Sequence, residues 1–156
     1  VGRGQSILVK IRSWHEYSSW NWENKVLLLE AMEMHTLGNY DAAEPLYISS
    51  IRSAREHKFI HEEAIASELA GDLFNERGSH LDLESYALYM HSIKCFNEWD
   101  ALAVAMRVQS SVESKFVSEH IAEFGKTVNV DDMVQRILGK PADTNKRQVA
   151  SYGLDG

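Results

Sequence analysis

Apolar and polar positions segregate most clearly between His57 and Gly78, HKFIHEEAIASELAGDLFNERG. Ile65, Leu69 and Leu73 form one row and Ala66, Ala70 and Phe74 a second, each advancing by four residues, so both lie on one face of an α-helix. Ser67, Glu68, Asp72, Asn75 and Glu76 fall on the other side. Glu62 and Glu63 stand in the first turn, near the positive end of the helix dipole. Arg77 closes the last turn and Gly78 supplies a left-handed stop. Alanine and glycine on the packed face admit a close neighbour, so this stretch reads as the central helix of a stack.

The same reading extends along the chain. Val1 to Trp14 has helix-spaced Ile7, Leu8, Ile11 and Trp14. It carries Arg3, Lys10 and Arg12 without an acid, which suits a packing helix with a basic start or the remnant of a targeting sequence. Serines and asparagines between Tyr17 and Asn24 predict a break, with Trp20 and Trp22 covering the core's edge. Lys25 to Thr36 predicts a helix with Leu27, Leu28, Ala31 and Met34 inward, ending at a turn around Gly38. Asp41 and Glu44 fit a capping box for the next helix, which runs to about Arg55 with Ala43, Leu46, Tyr47, Ser50 and Ile51 inward and Pro45 near its first turn. After the central helix, Ser79 to Leu83 reads as a turn and Glu84 to Phe96 as a helix with Leu88, Tyr89, Ser92, Ile93 and Phe96 inward. Trp99 to Phe124 continues in helix, with a break at Ser110–Ser114 and a stop at Gly125. Asn129 caps a short helix over Val130–Leu138. Residues 1–138 thus form one helical-repeat domain, and 139–156 a polar, flexible tail.

A repeat runs through these elements. Gly38, Tyr40, Ala43, Tyr47 and Ser50 have the small, aromatic and turn layout of a tetratricopeptide hairpin, and Gly78, Ser85, Tyr89 and Ser92 restate it. The turn glycines are 40 residues apart, longer than the standard period of about 34. The expected fold is all-α: antiparallel helix hairpins stacked as a tetratricopeptide-like right-handed superhelix, an α-solenoid, in which stacking buries faces that no single hairpin covers.

Composition narrows the function. The 156 residues suit one domain with a real core, and two prolines and nine glycines are few for a β-rich chain. A formal charge of −7 argues against nucleic acid as partner, because phosphate contacts need a basic surface. No apolar run nears the roughly 20 residues of a membrane span. The single cysteine, Cys95, forbids an internal disulfide and fits an intracellular, reducing compartment, cytoplasmic or organellar. Val1 in place of an initiator methionine suits a processed chain or a piece of a longer one.

Candidate chemistry is sparse. His57 and His61 have zinc-ligand spacing but no third ligand at a matching distance, so no metal is expected. Cys95 has no base at a diagnostic spacing and reads as a small buried hydrophobe. No phosphate-binding glycine loop is present. No cofactor and no catalytic residue are expected, and the chain reads as a non-enzyme.

A more specific pattern covers Ile11 to Met106: Trp14, then KVLLLEA at Lys25–Ala31, then FIHEEAIASELAG at Phe59–Gly71, then Arg77-Gly78, then Cys95-Phe96 and Trp99-Asp100-Ala101. It resembles the helical-repeat segment of large multidomain signalling ATPases, in which kinase-like and nucleoside-triphosphatase domains precede the repeats and a GAF domain and a histidine kinase often follow. The resemblance implies a non-catalytic scaffold or regulatory segment and carries over no catalytic residue. The expected function is a protein–protein interaction module, with a groove lined by Lys25, Leu28, Met32 and His35 of one hairpin and Glu68, Asp72 and Asn75 of the next. Glu68, Asp72 and Glu76 are expected to form a mutually repelling acidic strip for a basic partner. The alternative is a structural or accessory subunit of a larger, organellar complex, tethered through its termini.

Overall fold

Three turns repeat one backbone pattern and set the spacing of the helices. The computed structural model describes residues 7, 9–14, 19–78, 82–116 and 118–139. Its helices are α1 (Ser19–Thr36), α2 (Tyr40–Glu56), α3 (Ile60–Glu76), α4 (Asp82–Glu98), α5 (Leu102–Lys115), α6 (Ser118–Thr127) and α7 (Val130–Gly139). Residues 9–14 are helical too, and no strand occurs among the described residues. After α1, Gly38 is left-handed (φ 74), its N–H bonds the His35 carbonyl and the Asn39 N–H reaches back to Met34, the Schellman pattern. Lys58 (φ 60) and Asp100 (φ 57) do the same after α2 and α4, with Phe59 bonding Ala54 and Ala101 bonding Phe96. In each case the next residue, Asn39, Phe59 or Ala101, is already the N-cap of the following helix. Such minimal turns force consecutive helices antiparallel. Gly78 also takes positive φ (113) after α3.

Each helix from α1 to α5 packs on its neighbours in sequence, and α7 returns across α4 and α2. One core cluster joins Ala31 of α1, Tyr47 and Ile51 of α2, Ala70, Leu73 and Phe74 of α3, Leu88 of α4, and Val134, Ile137 and Leu138 of α7. A second joins Tyr86, Tyr89, Cys95 and Phe96 of α4 with Ala105, Val108 and Val112 of α5 and with Phe116. The close approach expected of the central helix is present: a Cβ on Gly71 would lie 3.0 Å from the Tyr89 ring. Asn129 caps α7 through its side chain, which accepts from the Asp132 N–H.

Several boundaries differ from expectation. No break separates Ser19 from Lys25, since α1 already begins at Ser19. Asn24 is buried there, its side chain donating to Glu62 and its carbonyl accepting from Ser50, so tertiary contacts offset its low helix preference. Asn39, not Asp41, caps α2 by accepting from the Ala42 N–H. Pro45 therefore sits inside the helix, beyond the first turn. The break expected at Ser110–Ser114 lies instead at Phe116, whose backbone is extended, and Trp99–Ala101 is a turn. Gly125 lies within α6 and does not end it. On α3, Ile65 is 39% exposed and Ser67 wholly buried, the reverse of the sequence pattern. Ser67 tolerates burial because its hydroxyl donates to the Glu63 carbonyl. No helix among the described residues is long and apolar enough to cross a membrane. Of the basic start, Arg3 lies outside the described residues, as does the tail from residue 140, while Arg12 pairs with Glu30 of α1 at 2.8 Å.

Candidate functional site

Two places carry concentrated chemistry: the face shared by α1, α3 and α5, and a buried cluster where α2, α3 and α4 meet under α7.

Of the residues expected to meet a partner, ion pairs and hydrogen bonds between helices place Lys25, His35, Glu68 and Asp72 on the first. Lys25, Leu28 and His35 project from α1, and Glu68, Asp72 and Asn75 from α3. Lys25 Nζ bonds Glu62 Oε1 at 2.6 Å and also lies over the Trp22 and Phe59 rings. His35 Nε2 is 3.0 Å from Glu76 Oε2 and its Nδ1 is 3.1 Å from the Tyr47 hydroxyl. Arg107 of α5 forks onto Glu68 at 2.7 and 2.8 Å. Lys115 pairs with Asp72, which also accepts from the Tyr89 hydroxyl at 2.6 Å. Leu28 is half-buried against the first core cluster, and Asn75 is half-buried with its carbonyl accepting from Gly78. The acidic strip thus forms, but Arg107 and Lys115 already pair with Glu68 and Asp72, and His35 contacts Glu76. Helix periodicity could place Glu68, Asp72 and Glu76 on one side; it could not bring Arg107, Lys115 and His35 to them from other helices. Large apolar side chains are also exposed: Met32 is 39% exposed, Trp99 50%, Leu102 59% and Met106 71%.

The second site was not anticipated as a unit. The Lys58 turn delivers Arg55, in the last turn of α2, beside Glu63, in the first turn of α3. His91 and Cys95 are one turn apart on α4 and share a face. Arg55 Nε donates to Glu63 Oε1 at 2.8 Å, and His91 Nε2 lies 2.7 Å from the same oxygen. Arg55 Nη2 is 3.0 Å and Cys95 Sγ 3.4 Å from that imidazole nitrogen. Glu63, His91 and Cys95 are all buried. Over them opens a cleft of about 260 Å³, walled also by Ile60, Lys94, Asp131 and Val134. Lys94 and Asp131 pair at its rim at 2.9 Å, tying α4 to α7.

Electrostatics assigns states to this cluster. Burial pushes the Glu63 carboxyl up, but hydrogen bonds from His91 and Arg55 outweigh it and leave its pKa below the ordinary carboxylate value. Burial, aided by the Glu63 and Glu98 charges, pushes the Cys95 thiol up to about 12. The sulfur is therefore a protonated thiol and not an activated nucleophile. His91 Nε2 faces Glu63, Arg55 and Cys95 at once, whereas its Nδ1 is buried and has no hydrogen-bond partner among the described residues.

Sequence spacing points to His57 and His61 and offers no base for Cys95. The turn at Lys58 separates those two histidines: His57 stacks on Phe59 at the end of α2, and His61 stacks on Trp99 at 4.7 Å. The partner of Cys95 is His91, and its four-residue spacing was the available signal. Set against protein-family models, curated proteins and solved structures, the chain matches none of them.

Proposed function

We propose that this protein is a non-catalytic helical-repeat module for protein–protein interaction, a scaffold or regulatory segment of the kind its sequence resembles in multidomain signalling ATPases. In this reading α1/α2 and α3/α4 are successive tetratricopeptide-like hairpins of a right-handed superhelix, and α5 opens a third. The observation that carries it is the recurrence of one Schellman turn after α1, α2 and α4, which sets helices side by side at regular intervals.

The pairing of Glu68 and Asp72 moves the contact surface from charge to apolar area. A partner docks on exposed Trp99, in the turn between α4 and α5, and on Leu102 and Met106, one turn apart on α5, with the charged residues as rim. The test is co-purification from the native source, with the intact mass of whatever stays bound. A stoichiometric protein that is lost on replacing Leu102 and Met106 with serine, in a chain of unchanged helix content, supports the module. Absence of any stoichiometric protein sinks it. Retention in that double variant, with loss on deleting residues 140–156, favours the alternative of a structural subunit held by its tail.

A further inference from the structure

We propose that Glu63, His91 and Cys95 form a binding site for one soft divalent cation of the zinc and cadmium class, a site whose centre the Arg55 guanidinium fills when no metal is bound. This departs from the expectation of no metal, which rested on sequence spacing around His57 and His61. The three ligand atoms, a carboxylate oxygen, an imidazole nitrogen and a sulfur, lie within 4.8 Å of one another. In a tetrahedral zinc site, metal–nitrogen bonds of about 2.0 Å and metal–sulfur bonds of about 2.3 Å put those two ligands about 3.5 Å apart. Here Cys95 Sγ and His91 Nε2 are 3.4 Å apart, a spacing set by one turn of α4 and not by flexible loops. Nitrogen and oxygen ligands of zinc stand about 3.4 Å apart, so Glu63, at 2.7 Å from Nε2, has to withdraw by about 0.7 Å. Its place in the first turn of α3 leaves side-chain torsions for that shift. Imidazole and thiolate together select zinc, cadmium or cobalt over magnesium and calcium, which take all-oxygen sets.

Arg55 is the reason the site is closed. Its guanidinium contacts both Glu63 and His91, where a cation would stand, and its side chain is 30% exposed. It can swing into the 260 Å³ cleft, which also provides the entry path and room for a water as fourth ligand. Binding replaces the arginine with the metal and converts the Cys95 thiol to a metal-bound thiolate, its proton leaving to buffer. His91 binds through Nε2, so in the metal-bound form its ring proton sits on Nδ1. Nδ1 is buried without a partner among the described residues, so placing the proton there holds the affinity below that of a structural zinc site.

The experiment titrates the full chain, freed of metal by chelation and dialysis, with cobalt(II) and with cadmium(II). One equivalent should bind with a thiolate-to-metal charge-transfer band, release about one proton per metal and raise the melting temperature. Cys95→Ser should abolish the band, and His91→Gln should weaken binding by more than about tenfold. His120→Gln, at an exposed position on α6, should change nothing. Arg55→Gln is the decisive variant, because it should bind metal more tightly than the parent although it loses an ion pair. A purely structural cluster predicts lower stability and no gain in binding for that variant. A folded parent chain without a charge-transfer band in excess metal overturns the proposal, and so does metal binding that Arg55→Gln leaves unchanged or weakens.

Discussion

Replacing Gly71 with alanine should destabilise the protein, although alanine is the better helix former. Gly71 lies inside α3, where the substitution by itself gains about 0.5–1 kcal/mol from backbone entropy. The new Cβ would lie 3.0, 3.1 and 3.2 Å from three carbons of the Tyr89 ring. That ring cannot give way. It is fully buried, its hydroxyl donates to Asp72 at 2.6 Å and accepts from Lys115 at 2.7 Å, and its edge meets Phe116. Either the ring or the α3–α4 spacing must shift, and overpacking of this kind costs about 1–3 kcal/mol. The net expectation is a loss of about 1–2 kcal/mol. At about 2–4 °C per kcal/mol for a chain of this size, the melting temperature should fall by about 2–8 °C. Gly125→Ala is the matched control. Its Cβ would make only an ordinary 3.7 Å contact with the Tyr86 hydroxyl, so alanine should raise stability by up to about 1 kcal/mol. Urea and thermal unfolding of both variants measure the difference. If Gly71→Ala proves neutral or stabilising, as Gly125→Ala should be, the α3–α4 approach is looser than described and the account of Gly71 fails.

Reversing Glu68 and Asp72 to lysine should now cost about 1–3 kcal/mol, because it turns the Arg107 and Lys115 pairs into repulsions and strips the Tyr89 hydroxyl of its acceptor; a melting temperature at or above the parent's would restore the idea of an unanswered acidic strip. Glu63 should confer stability at neutral pH that disappears in acid. Its folded pKa lies below the ordinary carboxylate value, so the unfolded chain takes up the proton first, and stability falls as pH drops through and below the carboxylate range. Glu63→Gln should flatten that fall between about pH 6 and pH 3 in urea titrations, and an unaltered acid profile would count against the buried pairing. Lys58→Gly should gain about 0.5–1 kcal/mol by relieving a left-handed backbone that a long side chain tolerates poorly, and Asp100→Gly should gain less, since aspartate visits that region more readily; equal losses in both would mean that these side chains make contacts that outweigh their strain.

What local chemistry alone could settle, the sequence settled. Apolar rows at helical spacing locate α2, α3 and α4, because a helix face is a property of residues three and four apart. Gly38 and Gly78 mark two turns because only glycine adopts their conformation without strain, and Asn129 announces the start of α7. The small residues Ala70 and Gly71 foretell a close neighbour without naming Tyr89 as that neighbour. Lys58 and Asp100 make the same turn as Gly38, but no side-chain preference advertises it; the packing of the helices on either side holds them there. Burial and pairing likewise belong to the tertiary structure. Asn24 continues α1 because Glu62 accepts from its side-chain amide and the Ser50 hydroxyl donates to its carbonyl, both from other helices. Glu68 and Asp72 lose their apparent freedom to cations far along the chain on α5. Arg55, Glu63, His91 and Cys95 become one cluster only when α2, α3 and α4 are stacked, since a hydrogen bond between distant residues leaves no period in the sequence that makes it.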